Sequence, residues 1–333
     1  MVWLDNSRII AIFAVIFLHS AAGVLVENDI GTTSWWMGNI YDSLVSWCVP
    51  VFVMISGALL LNPDKKEDLN TFYRKRLSRV FIPFIFWSIF FLIIRCAANC
   101  KLPTMKYLAT NILSGKPYYH MWFLYMIMIL YLFTPFLRKI VAGSSRREIT
   151  ILVVLSFTVS ALNAIAGVVF SIESKLFINW FLPYIPYFFL GYLIRTNKKS
   201  YPVYALWGVF FVSVVLTAVG CYAIGKKEGL DTGMYFYHNF SVTAIPMSIS
   251  VMYILKSCVR PVGSVALSRK ISALTLGVYL IHPIALKAIT NAGYGPLVFS
   301  PVVSIPVVAV AVFASALAAA WVIKNIPYLK RII

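Results

Sequence analysis

Long runs of apolar residues alternate with short polar stretches along this chain, and about ten runs are long enough for membrane helices. A helix needs about 20 apolar residues to cross the hydrocarbon core, whereas barrel strands would alternate polar and apolar positions. The pattern therefore predicts an all-α polytopic bundle. The predicted spans cover about residues 8–26, 40–61, 79–97, 119–139, 149–170, 178–195, 202–224, 238–256, 271–290 and 301–323.

The composition agrees with this class. Of the 333 residues, 61% are hydrophobic and only 12% are charged, whereas soluble domains average about 25% charged residues. We predict one integral membrane domain over residues 1–333. The sixth span is short and contains Pro183 and Pro186, which predict a kink or a re-entrant segment.

The distribution of basic residues predicts the orientation. Most of the 29 lysines and arginines fall on the side of the first residues when the spans alternate. Because cytoplasmic loops carry the excess of lysine and arginine, both termini are predicted to be cytoplasmic. The net charge of +18 then reflects topology and attraction to anionic membrane lipids, and no basic stretch has the character of a nucleic-acid groove.

Arg8 and His19 are the first candidates for chemistry. They stand eleven positions apart in the first span, which on a helix is three turns plus roughly 20° and about 16 Å of rise. Both side chains therefore lie on one stripe of one helix. An ionisable group at that depth is a functional-site hypothesis by default, and a cation above a titratable base suits a charged donor that reaches into the membrane.

A second basic group precedes the third span. Arg76 and Arg79 stand one helical turn apart, a spacing that suits bidentate contacts to phosphate. Lys75 lies beside them and is included in the predicted donor site. The alternative interpretation is positive-inside anchoring, which suffices for Lys65 and Lys66.

These residues resemble a known family. The first-span pattern Arg8-x10-His19 is similar to a signature of the acyltransferase-3 family of integral membrane acyltransferases. Four further segments resemble its motifs in chain order: Val49–Gly57, Lys75–Pro83, His120–Leu124 and Gly277–His282. The likeness is closest to short members such as enterobacterial common antigen O-acetyltransferases.

The resemblance implies a function. Such enzymes transfer an acyl group, commonly acetyl, from cytoplasmic acyl-CoA to a hydroxyl of a surface polysaccharide or its lipid-linked precursor. It implies acetyl-CoA as co-substrate, no metal, a glycan and membrane lipids as partners, and a bacterial inner membrane location. His19 would be the base, and Arg8, Arg76 and Arg79 would hold the donor.

The sequence departs from the family at one position. Some members have an acidic residue near the start of the second span, where Pro50 stands here. Asp42, two turns earlier, is the candidate partner of His19. His282 precedes Pro283, which leaves a backbone carbonyl without its helical donor. The acceptor and oxyanion candidates are His120, Trp122, Tyr125, Ser56, Tyr279 and His282.

Two other classes compete with an enzyme. A transporter of a lipid-linked sugar or small anion fits the span count, but the chain shows no internal repeat of the kind many transporters have. A membrane sensor that binds acyl-CoA without turnover keeps Arg76 and Arg79 and needs no base. In an enzyme, His19 would deprotonate the acceptor hydroxyl, which attacks the thioester directly.

Overall fold

The computed structural model describes residues 1–64, 67–99, 103–115, 117–170 and 180–333, without side-chain detail at 77 and 166–170. All of the regular secondary structure in these ranges is helical, so the predicted all-α fold is confirmed. Lys65 and Lys66 lie outside the described residues. The α-helices are α1 Val2–Glu27, α2 Thr33–Val45, α3 Cys48–Leu60, α4 Leu69–Ala98, α5 Met105–Leu113, α6 Trp122–Gly143, α7 Arg146–Phe170, α8 Ile185–Thr196, α9 Val203–Glu228, α10 Leu230–Gly233, α11 Ala244–Ser257, α12 Val265–Ser272, α13 Thr275–Ile289 and α14 Pro301–Asn325.

Within the described residues, seven helical segments are long and apolar enough to cross a membrane, with α2 and α3 counted as one. An eighth span results if α12 and α13, bent by 59°, are taken together. The chain is therefore a multi-pass membrane protein. The predicted sixth and eighth spans correspond to α8 and α11, which have only 12 and 14 residues. At 1.5 Å per residue each covers about 20 Å, less than the hydrocarbon core.

Regular α-helix is interrupted at three places that border the interior of the bundle. The second span divides at Ser46 and Trp47, between α2 and α3. The chain between α9 and α11 includes a 3-10 turn at Met234–Tyr237, and α12 meets α13 at Ala273 and Leu274. Non-helical backbone at membrane depth is tolerated only inside protein or beside a cavity. These breaks therefore indicate where a polar cavity lies.

Several basic side chains complete the ends of the short helices. Arg138 Nε donates to the Leu60 carbonyl of α3 at 3.0 Å, and Lys256 Nζ donates to the Ile194 carbonyl of α8 at 2.7 Å. The last carbonyls of a helix lack intrahelical donors, and cations there also oppose the helix dipole. Some of the lysines and arginines from which the membrane orientation was predicted therefore also stabilise helix ends.

Glycines allow α3 and α8 to approach closely. A Cβ on Gly57 would lie 1.8 Å from the Phe188 carbonyl oxygen, and one on Gly191 would lie 1.9 Å from that of Met54. Both obstacles are backbone atoms, which cannot rotate away. The contact therefore requires glycine on both helices and holds α3 against the short helix α8.

Gly57→Ala is expected to destabilise the fold by about 3 kcal/mol, because the added methyl group forces two packed helices apart. The measurement is the thermal unfolding midpoint of the purified protein in detergent. Gly208→Ala is the matched control, since a Cβ on this α9 glycine meets no atom within 4 Å and alanine is the better helix former. Equal midpoints for the two variants would contradict the packing argument.

Candidate active site

A large cavity, called here the central cavity, runs through the bundle and has a volume of about 1080 Å³. Its lining comes mainly from α1, α3, α4, α6, α13 and α14, together with the irregular segment before α11. Arg8 and His19 both face it, so it extends about 16 Å along α1. The stripe predicted from their spacing is one wall of this cavity.

One end of the central cavity is strongly basic. This basic mouth is formed by five cations: Arg8, Arg76, Arg79, Lys324 and Lys330. None of them forms an ion pair within the described part of the chain, and Nε of Arg76 is buried there without a hydrogen-bond partner. The mouth therefore carries uncompensated positive charge that would attract a polyanion.

The C-terminal segment forms part of this mouth. A 3-10 turn at Leu329–Ile332 folds under the bundle, and the indole N–H of Trp87 donates to the Ile332 carbonyl at 2.8 Å. Ile333 packs near Gly277, where an added Cβ would lie 3.1 Å from the Ile333 Cβ. These contacts hold Lys330 beside the arginines.

A histidine cluster lies at the other end of α1's stripe. The rings of His19 and His282 are stacked with centroids 5.3 Å apart, and His120 meets His282 edge-on at 5.3 Å. His120 is only 2% exposed, and neither of its ring nitrogens has a partner within the described residues. Three helices, α1, α13 and the start of α6, thus bring together imidazoles that are far apart in sequence.

The tautomer of His282 follows from its hydrogen bond. Its Nδ1 lies 2.6 Å from the Tyr279 carbonyl, which can only accept, so Nδ1 carries the proton. Pro283 has no N–H to give to that same carbonyl. The His282 ring therefore takes the place of the missing helical donor, and its Nε2 remains a hydrogen-bond acceptor inside the cluster.

Other predicted residues also face the central cavity. Asp42 is buried, 5% exposed, and lines it together with Trp122. Ser56 lies within 3.4 Å of the Tyr131 hydroxyl. The Tyr279 hydroxyl donates to the His120 carbonyl. No ion pair joins Asp42 to His19 in the part of the chain that is described, so the two share a cavity without the direct contact that the sequence suggested.

Two predicted residues lie elsewhere. Lys75 points away from the mouth and pairs with Glu67 at 3.1 Å, because it falls on a different face of α4 from Arg76 and Arg79. The Tyr125 hydroxyl donates to the Ile112 carbonyl at 2.6 Å and does not line the cavity. The structure therefore places Lys75 and Tyr125 outside the lining of the central cavity.

Neither His238 nor Asn239 was among the candidate site residues predicted from the sequence. Both line the central cavity from the irregular segment before α11. Two hydrogen bonds hold Asn239 in place. Its side-chain Nδ2 donates to the Tyr184 hydroxyl at 2.7 Å, and its backbone carbonyl accepts from the Tyr187 hydroxyl at 2.6 Å. Two adjacent polar residues at the start of an apolar stretch were the available signal.

No group of three or more histidine, cysteine, aspartate or glutamate side chains is arranged for a metal ion in the described ranges. The polar groups that line the central cavity are cations, imidazoles, one carboxyl group and hydroxyl groups. That set suits binding of a phosphate-bearing molecule at one end and proton transfer at the other.

A family model described as an acyltransferase domain matches residues 1–324, nearly the whole chain. The chain belongs to the acyltransferase-3 family. It is therefore a membrane acyltransferase, and the resemblance noted in the sequence is confirmed at the level of the family. No curated protein and no solved structure matches this acyltransferase.

Proposed function

We propose that this acyltransferase moves an acetyl group from cytoplasmic acetyl-CoA to a hydroxyl of a surface glycan or its lipid-linked precursor. The observation that carries the proposal is one continuous cavity with the basic mouth at one end and His19 at the other. Acetyl-CoA has the matching shape, since its phosphates lie at one end and its thioester at the tip of a slim arm.

The basic mouth would bind the donor. Arg76 and Arg79 lie one turn apart on α4 and face the cavity with Arg8. Guanidinium groups hold phosphate oxygens through paired, charge-assisted hydrogen bonds. In the proposed orientation this mouth opens to the cytoplasm of a bacterial cell, where acetyl-CoA is made.

His19 would act as the general base. It takes the proton from the acceptor hydroxyl, the hydroxyl oxygen attacks the thioester carbonyl, and the CoA thiolate leaves with the electron pair of the C–S bond. The proton on His19 then passes to the thiolate, so that the products are the acetyl ester and CoA thiol. Positioned proton transfer of this kind contributes roughly 10²–10⁴-fold to rate.

Neighbouring groups would support His19 during the reaction. The stacked His282 ring fixes one face of the His19 imidazole. Asp42 faces the same cavity without a cationic partner in the described ranges. Its carboxyl group, in the ionised form, would stabilise the imidazolium through the low-dielectric cavity. His120, whose ring nitrogens have no partner among the described residues, is a candidate donor to the oxyanion.

The test is the chemical nature of the product. Membranes from cells that express the chain are incubated with acetyl-CoA radiolabelled in the acetyl group, and the glycolipid and polysaccharide fractions are extracted. The proposal expects label above that of empty-vector membranes, and release of that label by mild alkali, as for an O-acetyl ester. Label that resists mild alkali, or none above the empty vector, would contradict it.

A further inference from the structure

A second cavity lies beside the central one and has a volume of about 590 Å³, within the range of small-ligand sites. Its lining is almost entirely aromatic, with one cation. This aromatic cavity is formed by Arg95, Gly115, Tyr118, Tyr119, Trp122 and Trp180. Of these residues, only Trp122 also lines the central cavity.

The aromatic cavity adjoins the reaction centre. Trp122 lines both cavities, and the Tyr119 ring meets the His19 ring edge-on with centroids 4.9 Å apart. Tyr119 is half exposed, with a relative exposure of 50%. A molecule seated here would therefore lie next to His19, on the side away from the basic mouth.

The lining suits a sugar ring. Four aromatic side chains offer flat apolar faces, and the C–H bonds of a pyranose form a flat apolar face of similar size. Tyrosine hydroxyls and indole N–H groups at the ring edges can hydrogen-bond to the sugar's hydroxyls. Few other ligands combine an apolar face with so many polar groups.

Arg95 adds a charge requirement. It lies in the last turn of α4, about 24 Å from Arg79 along the helix. No described residue forms an ion pair or hydrogen bond with its guanidinium. A guanidinium at the edge of an aromatic site would pair with a phosphate or carboxylate through two parallel hydrogen bonds.

We propose that the aromatic cavity is the acceptor site, and that it binds a sugar carrying an anionic group. The anion would be held by Arg95, the ring by Trp122 and its aromatic neighbours, and the hydroxyl to be acylated would pass Tyr119 to reach His19. This inference rests on the proposed acyl transfer. The anion is either a phosphate that links the sugar to a lipid or the carboxylate of an acidic sugar, since both present paired oxygens to Arg95.

Binding of defined sugars to the purified full chain, without acetyl-CoA, tests this site. Saturation-transfer NMR titrations give dissociation constants for glucose 1-phosphate, methyl glucuronoside and methyl glucoside. The dissociation constant of inorganic phosphate, which has no non-exchangeable protons, is obtained from its competition with glucose 1-phosphate. We expect the two anionic sugars to bind at least tenfold more tightly than methyl glucoside and inorganic phosphate. The ranking of the two anionic sugars distinguishes a phosphate-linked from an acidic acceptor.

Variants separate the two parts of the site. Arg95→Gln should weaken both anionic sugars about tenfold and leave methyl glucoside unchanged, whereas Trp122→Leu should weaken all three sugars. Lys287→Gln is the matched control, because this exposed cation on α13 lines neither cavity, and it should change nothing.

Two results would overturn the inference. One is equal affinity for charged and neutral sugars together with no effect of Arg95→Gln. The other is inorganic phosphate binding as tightly as glucose 1-phosphate, which would mean that the ring contributes nothing. Because no donor is present, such a failure would leave acyl transfer standing, and absence of acyl transfer would not affect the titrations.

Discussion

His19→Ala should lower the rate of acetyl transfer at saturating acetyl-CoA by roughly 10²–10⁴-fold, the contribution of a positioned base. Its side chain faces the central cavity between the basic mouth and the aromatic cavity. The measurement is initial transfer of labelled acetyl groups to membrane glycolipid, with wild type and variant at equal abundance.

The same variant should retain its affinity for CoA, because the phosphates are bound about 16 Å away at the mouth. Equilibrium binding of CoA to both proteins is therefore the control for folding and donor binding. Transfer at the wild-type rate in His19→Ala would exclude this residue as the base. A sensor that binds without turnover would show equal CoA binding and no transfer in either protein.

Replacing Arg76 and Arg79 together with glutamine should raise the KM for acetyl-CoA about 100-fold. Each charge-assisted hydrogen bond to phosphate contributes about 1.5–3 kcal/mol, and every 1.4 kcal/mol is tenfold in affinity. The rate at saturating donor should change much less, since neither arginine lies near the histidine cluster. The measurement is initial rate against acetyl-CoA concentration.

Lys75→Gln is the matched control for this effect. Lys75 precedes Arg76 in the chain, but its side chain pairs with Glu67 outside the cavity. It should leave the KM for acetyl-CoA within about twofold, as surface ion pairs contribute little. An equal rise in KM for Lys75→Gln and the arginine variant would mean that only the overall charge of this end matters.

The sequence pattern predicted the helical class of the fold and part of the arrangement of the site residues. Apolar runs predicted the helical class, and an eleven-residue spacing predicted that Arg8 and His19 share one face of α1. The same spacing was not applied to Lys75, which the sequence analysis grouped with Arg76 and Arg79 although it lies on a different face of α4. Such patterns are local, so they can be read from one stretch of sequence.

Tertiary features could not be obtained in that way. Glycine is required at position 57 because the Phe188 carbonyl of α8 occupies the place of a Cβ. His238 and Asn239 line the cavity because they follow a 3-10 turn in a segment without regular α-helix, whereas the apolar run predicted a membrane helix from residue 238. Tyr125 lies outside the central cavity, because its hydroxyl donates to the Ile112 carbonyl of a short helix that the sequence did not predict.

The short lengths of α8 and α11 are a further tertiary feature that the apolar runs did not predict. Both are too short to cross a bilayer alone, and they pack inside the bundle, α8 mainly against α3 and α11 mainly against α9. Basic side chains complete their last carbonyls, as Lys256 does for α8. The predicted ten spans therefore mark ten apolar segments. The two shorter ones, α8 and α11, pack within the bundle and contribute no side chain to the lining of the central cavity.

The central claim is that donor and acceptor enter from opposite ends and meet at His19. Its most direct test is acetyl transfer in sealed vesicles of each orientation, with acetyl-CoA, which does not cross membranes, added outside. We predict labelling of glycolipid when the cytoplasmic face is outward, its loss in His19→Ala, and none in right-side-out vesicles until they are permeabilised. Equal labelling in both orientations before permeabilisation would contradict the account.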